Sequence, residues 1–181
     1  MLASQIYGDE LIEKIEIAFS GNKYPGDENL ISSQEHLAEC EECRGYYDYF
    51  VGKSRKQILE EDSYGKLGGG QSFFKPLAWH YYFPAYLIKC VRLGKFFSFN
   101  FNPPDESEFE DEDFAEFWNE FEQPRIDLLS PAQCEVIIDY LQITLEVWKG
   151  VEKGYEDDLR PLNFWKENYR KSFKREQSSR K

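Results

Sequence analysis

The sequence predicts an all-α fold: a compact single-domain bundle of five or six helices around a proline-kinked central helix, plus a basic C-terminal helix. Three observations carry this. The segment Pro76 to Arg92 is apolar nearly all round, from Leu77 and Trp79 through Tyr81-Tyr82-Phe83 to Ile88 and Val91, as befits a helix at the centre of a bundle. Helical periodicity recurs along the chain, whereas the one extended-looking stretch, Phe96 to Phe101, has nothing to pair with and reads as loop. Finally, 181 residues with 41% hydrophobic and 17% aromatic content can bury one sizeable, ring-rich core.

Taken in order, Asp9 to Phe19 places Leu11, Ile12, Ile15, Ala18 and Phe19 on one helical face. Tyr24-Pro25-Gly26-Asp27 reads as a turn, with Pro presetting φ and Gly permitting reversal. A second helix is expected over Gln34 to Val51, interrupted by Gly52, with a short helical run through Ile58 and Leu59. Ser63 to Gly70, ending in three glycines, reads as a flexible loop. In the central helix Pro76 suits the first turn, and Pro84 should kink the interior by removing one donor.

Asp105 to Glu122 holds ten acids and no base, with Phe114, Phe117, Trp118 and Phe121 at i, i+3, i+4 and i+7. That is an amphipathic helix with a very acidic outer face, which Pro124 should end. Ser130-Pro131-Ala132-Gln133 starts another: Ser as N-cap, Pro at N1, Gln at the capping-box position. Its expected seam is Cys134, Ile137, Ile138, Leu141, Leu145 and Trp148, with Gly150 as the stop. Lys166 to Lys181 has seven basic and two acidic residues, with Trp165, Tyr169 and Phe173 at helical spacing. This basic helix is expected to dock on the acidic helix of the same chain and bury its rings. The organisation is therefore a helical domain over 1–150 and a basic amphipathic extension over 151–181, its end frayed.

Charge narrows the function classes. Twenty-two basic against 34 acidic groups give −12, which disfavours nucleic acid and anionic membrane as partners of the whole molecule. Only Lys166 to Lys181 could contact nucleic acid. Asp9 and Glu10 sit where a secretory apolar region would lie, and the most apolar stretch is too short to span a bilayer. No membrane insertion is expected, and the four cysteines read as reduced thiols of a cytoplasmic protein.

His36, Cys40 and Cys43 form the one run whose spacing could carry definable chemistry, His-x3-Cys-x2-Cys. It resembles the run of zinc-binding anti-sigma domains, where an upstream His or Cys completes the ligand set. Upstream of His36 this chain has neither. On a continuous helix positions 36, 40, 43, 47 and 50 would make an unbroken seam, with Cys as a small buried hydrophobe. That packing reading leads, so no cofactor is expected, and zinc on His36, Cys40 and Cys43 is the alternative. A thioredoxin-like role is disfavoured because Glu39, Glu41 and Glu42 would raise the thiol pKa values mid-helix.

Three segments together resemble a bacterial family of small helical domains catalogued as a domain of unknown function. They are Tyr24-Pro25-Gly26-Asp27-Glu28-Asn29-Leu30, then Ser72-Phe73-Phe74-x-Pro76 leading into His80-Tyr81-Tyr82-Phe83-Pro84-Ala85-Tyr86-Leu87, then Leu129-Ser130-Pro131-x-Gln133. The resemblance covers roughly residues 10 to 148 and implies a helical fold, not a chemistry. Two departures stand out. Lys75 replaces the usual Thr or Ser before the central proline, so that cap should be missing, and the family pattern has no partner at Cys43.

Other chemistries lack their signatures: there is no Gly-x-Ser-x-Gly elbow, and Gly68-Gly69-Gly70 lacks the Lys of a phosphate loop. His80, in the apolar helix, reads as a satisfied core histidine. Asp27 and Glu28 could recognise a cation or basic side chain, although capping of the next helix explains them first. The acids Asp111, Glu112, Asp113 and Glu116 are the remaining binding candidates. No catalytic residue is assigned. The leading expectation is a non-catalytic acidic protein-binding module with a basic protein partner, one form being an immunity- or antitoxin-like protein. The alternative is a zinc-binding regulator or metal-dependent enzyme using His36, Cys40 and Cys43.

Overall fold

The computed structural model describes residues 3–31, 33–95, 104, 106–148 and 159–179. Among them all regular structure is helical: α1 (Ala3–Ala18), α2 (Gln34–Glu39), α3 (Glu41–Phe50), α4 (Arg55–Glu60), α5 (Tyr64–Phe73), α6 (Pro76–Arg92), α7 (Glu112–Phe117), α8 (Gln123–Asp127), α9 (Pro131–Trp148) and α10 (Arg160–Ser179). The all-α bundle is as the sequence predicts. The expected stretch at Phe96 to Phe101 and the stop at Gly150 lie outside the described residues.

The core is built on α6, whose residues Tyr81 to Ile88 are all buried, with α1, α4, α5 and α8 packed around it. Rings do most of the filling. Phe50, Phe74 and Tyr82 form a triangle with centroids 4.8–5.3 Å apart. The Tyr82 hydroxyl donates to the Lys53 carbonyl (2.6 Å), with the Phe50 carbonyl at 3.1 Å, so the buried polar end is satisfied. The helix runs through Pro84, which cannot donate to the carbonyl of His80 one turn back. Asn22 Nδ2 donates to that carbonyl instead, at 2.7 Å. Gln133 then ties the same corner together. Its Nε2 donates to Asn22 Oδ1 and to the Ala18 carbonyl, and its Oε1 pairs with His80 Nε2 at 3.0 Å. The same Oε1 accepts from Ser130 N, closing the expected capping box. One glutamine thus joins the ends of α1 and α9 to the middle of α6. Burial holds the His80 imidazole below its ordinary pKa, in keeping with a core histidine.

Four expectations change. The three glycines lie in α5, not in a flexible loop. A Cβ on Gly70 would stand 2.8 Å from the Phe74 ring and 3.3 Å from that of Phe50, and one on Gly69 would strike the Tyr46 hydroxyl. The glycines let α5 sit close against α3, with Tyr46 stacked on Phe73 at 4.7 Å. Gly70→Ala should therefore destabilise the fold by about 1–3 kcal/mol although alanine is the better helix former by about 1 kcal/mol. Chemical denaturation measures the sign, and a stabilised variant would contradict the packing argument.

Pro124 does not end the acidic helix. A π-turn at Trp118–Glu122 joins α7 to α8, and Pro124 occupies the first turn of α8, where its missing N–H costs little. Nor does Phe117 face inward with Phe114, Trp118 and Phe121: it is 42% exposed. Finally, α10 packs chiefly along α9 rather than along the acidic helix. Trp165 is buried there, but Phe173 stays 45% exposed. Among the described residues a Trp118–Phe164 ring contact and an Arg175–Asp127 ion pair at 2.6 Å link α10 to the acidic region. Among the described residues no helix is long and apolar enough to cross a membrane.

Candidate functional site

The second helix breaks at Cys40, and this overturns the continuous seam expected over Gln34 to Val51. Cys40 has φ −103° and ψ 106°, ends α2 by donating its N–H to the His36 carbonyl, and starts α3 as its N-cap. No glycine or proline forces the break. Glu41 and Glu42 favour it, since they fall in the first turn of α3, where acids complement the helix dipole. Leu37 and Cys43 bury on the inner side, so the two short helices fold toward each other as an elbow. Ser33 caps α2 through the His36 N–H. Arg44 reaches back from α3, donating from Nε to the Leu37 carbonyl (2.9 Å) and from Nη2 to that of Ala38 (2.6 Å). It thereby satisfies two carbonyls at the end of α2.

This elbow brings the three candidate ligands together. One donor atom each from His36, Cys40 and Cys43 lies within 4.8 Å of the other two. His36 Nε2 and Cys43 Sγ are 3.3 Å apart, close to the edge of about 3.5 Å expected for a tetrahedron with Zn–N near 2.0 Å and Zn–S near 2.3 Å. Cys40 Sγ accepts the backbone N–H of Cys43 at 3.3 Å. That hydrogen bonding from Cys43, side chain and backbone both, holds the Cys40 thiol below its ordinary pKa. The sequence argument that the thiols lie mid-helix and are pushed upward therefore fails for Cys40, which stands at a helix N-terminus. His36 is exposed, Cys40 half-buried and Cys43 buried, so the cluster opens toward solvent on one side.

The other thiols are of a different kind. Cys90 is fully buried, and desolvation pushes it up to about 11 despite hydrogen bonds with Tyr86, Tyr140 and Tyr64. Cys134 is likewise buried, raised, and bonded to Ser172. All four cysteines are unbridged.

The remaining candidates are placed as follows. Asp27 does not cap α2. Its Oδ1 accepts from the Tyr24 hydroxyl and lies 3.3 Å from the Gly52 N–H, which also donates to the Tyr24 oxygen. The Tyr-Pro-Gly-Asp turn is thus a clasp on the end of α3, where Gly52 adopts φ 68°. Desolvation and Asp27 push the Tyr24 hydroxyl up to about 12. Glu28 accepts from Asn29 Nδ2, and its carbonyl accepts from Lys75 Nζ. The cap missing at Lys75 is indeed missing, but its long side chain ties the clasp to the start of α6.

Asp111 caps α7 by accepting from the N–H groups of Asp113 and Phe114, while Glu112, Asp113 and Glu116 are exposed. Phe109, also 42% exposed, packs edge-on against Phe114 and Trp118 beside these acids. A separate shallow groove of about 170 Å³ between α1 and α9 is bridged by the Lys14–Asp139 ion pair and gathers no reactive group. Comparison with protein-family models, with curated proteins and with solved structures finds no match.

The local sequence is compatible with the elbow without specifying it. Glu41 and Glu42 suit the first turn of a helix, and the arginine four residues after Cys40 suits the end of the preceding one.

Proposed function

We propose that the protein is a non-catalytic binding module whose α2–α3 elbow is pinned by a zinc-class ion held by His36, Cys40 and Cys43. The observation that carries this reading is the helix break at Cys40, which turns three residues on a nominal seam toward one point. Imidazole and thiolate suit zinc, and an elbow with little core of its own gains most from such a staple. Elemental analysis of untagged protein tests it. One equivalent of zinc is expected in the native chain, and less than a tenth of that in Cys40→Ser. Metal-free protein that folds and takes up no added zinc would refute the reading.

A second observation supports the binding half. Phe109 and Phe117 are exposed among acids that α10 leaves uncovered, a ring-backed acidic face suited to a basic protein surface. An immunity- or antitoxin-like protein would use such a face to cover a basic toxin. Combined Asp111→Asn, Glu112→Gln, Asp113→Asn and Glu116→Gln, which keeps the α7 cap, should weaken binding of a lysine-rich amphipathic peptide roughly tenfold at low salt. Unchanged affinity in a salt titration would remove this face from the proposal.

A further inference from the structure

The ligand inventory of the chain sets a limit on the metal site. There are two histidines and four cysteines in all, and every one is accounted for. His36, Cys40 and Cys43 converge; His80 is engaged with Gln133, Cys90 with a tyrosine cluster, and Cys134 with Ser172. The chain has no further imidazole or thiol to complete the four soft ligands of a closed structural site. Among the described residues no carboxylate joins the cluster either. The fourth direction is the solvent side, since His36 is exposed and Cys43 forms the buried floor.

Charge then selects what that direction accepts. A divalent ion with two thiolates and one neutral imidazole is a centre of zero net charge. Four exposed acids flank it in sequence, Glu35, Glu39, Glu41 and Glu42, against one exposed base, Arg44, whose guanidinium is engaged by the Leu37 and Ala38 carbonyls. Such a centre has little attraction for a further anion, and for the same reason acidifies bound water less than a cationic three-histidine zinc site does. A neutral nitrogen donor pays no charge penalty and matches the borderline softness of zinc.

Building on the metal reading, we infer that the site keeps an open, exchangeable fourth position that binds a neutral imidazole-type nitrogen in preference to anions. Its ligand class is thus the histidine side chain of a partner, with water as the resting occupant.

Cobalt(II) loaded into the full chain reports the coordination sphere through its visible ligand-field bands. Titration with imidazole should shift these bands saturably, with an affinity at least about tenfold above that of azide under the same conditions. Stoichiometric cobalt with thiolate charge-transfer absorption but no response to either probe would mean that the chain fills the fourth position. That result overturns the open site and leaves the metal reading standing. Azide binding as tightly as imidazole would overturn the ligand class. Failure to bind cobalt at all would remove the metal reading and this inference together.

Discussion

Stripping zinc from the loaded protein with a strong chelator is expected to lower its unfolding midpoint by roughly 8 to 16 °C. A ligand present at a thousand times its dissociation constant stabilises the folded state by about 4 kcal/mol. For a chain of this size each kcal/mol moves the midpoint by roughly 2 to 4 °C. The effect should centre on α2 and the first turn of α3. There the polypeptide itself supplies only the Ser33 cap, the Arg44 bridge and the burial of Leu37 and Cys43. His36→Ala should unfold near the midpoint of the stripped protein and ignore the chelator. Thermal scans of both chains with and without chelator check this. Equal midpoints in protein shown to hold one equivalent of zinc would mean that the ion does not support the fold.

Phe50→Ala is expected to cost about 3–5 kcal/mol, the range for deleting a buried aromatic ring. Phe50 is fully buried at the end of α3, and the rings of Tyr49, Phe74 and Tyr82 lie with centroids 4.8–4.9 Å from its own. Gly70 approaches the same ring from α5, so nothing large stands ready to collapse into the space. The loss is a sizeable part of the roughly 5–15 kcal/mol that holds a typical domain together. Phe50→Leu, which keeps most of the volume, should cost less than half as much. Urea denaturation gives both numbers. A cost below about 1 kcal/mol for alanine would show that the ring triangle is not the centre of the core.

These two residues sit on one ten-residue helix, Cys43 near its start and Phe50 at its end. That explains why the elbow was hard to read. The spacing of His36, Cys40, Cys43, Tyr47 and Phe50 fits a single long helix, and each residue near the break tolerates helical geometry. The break is decided by what the two halves bury and by where Arg44 reaches. Both are facts about neighbours in space. The glycine triplet shows the same division. Alone it reads as loop, because glycine is costly in a helix. Against the rings of Tyr46, Phe50 and Phe74, however, positions 69 and 70 leave no room for a Cβ.

Elements whose evidence is local were legible. The Ser130-Pro131-x-Gln133 start of α9, the apolar α6 and the acidic identity of the α7 region all follow from side chains within one or two turns of each other. Gln133 also shows where that legibility ends. The sequence places it in a capping box, but only the fold presents its amide to Asn22, Ala18 and His80.

By itself, then, the sequence determined the helical class, the ring-rich centre, the acidic surface and the inventory of two histidines and four cysteines. Those depend on composition, periodicity and capping, which act over a few residues. Tertiary structure alone decided that Cys40 ends one helix and caps the next, and that His36, Cys40 and Cys43 face one point. It also decided that α10 lies chiefly on α9, with Glu112, Asp113 and Glu116 exposed. Each of these rests on contacts between segments distant in the chain or on a backbone turn that propensity does not specify, and burial of apolar surface outweighs local preference wherever the two compete.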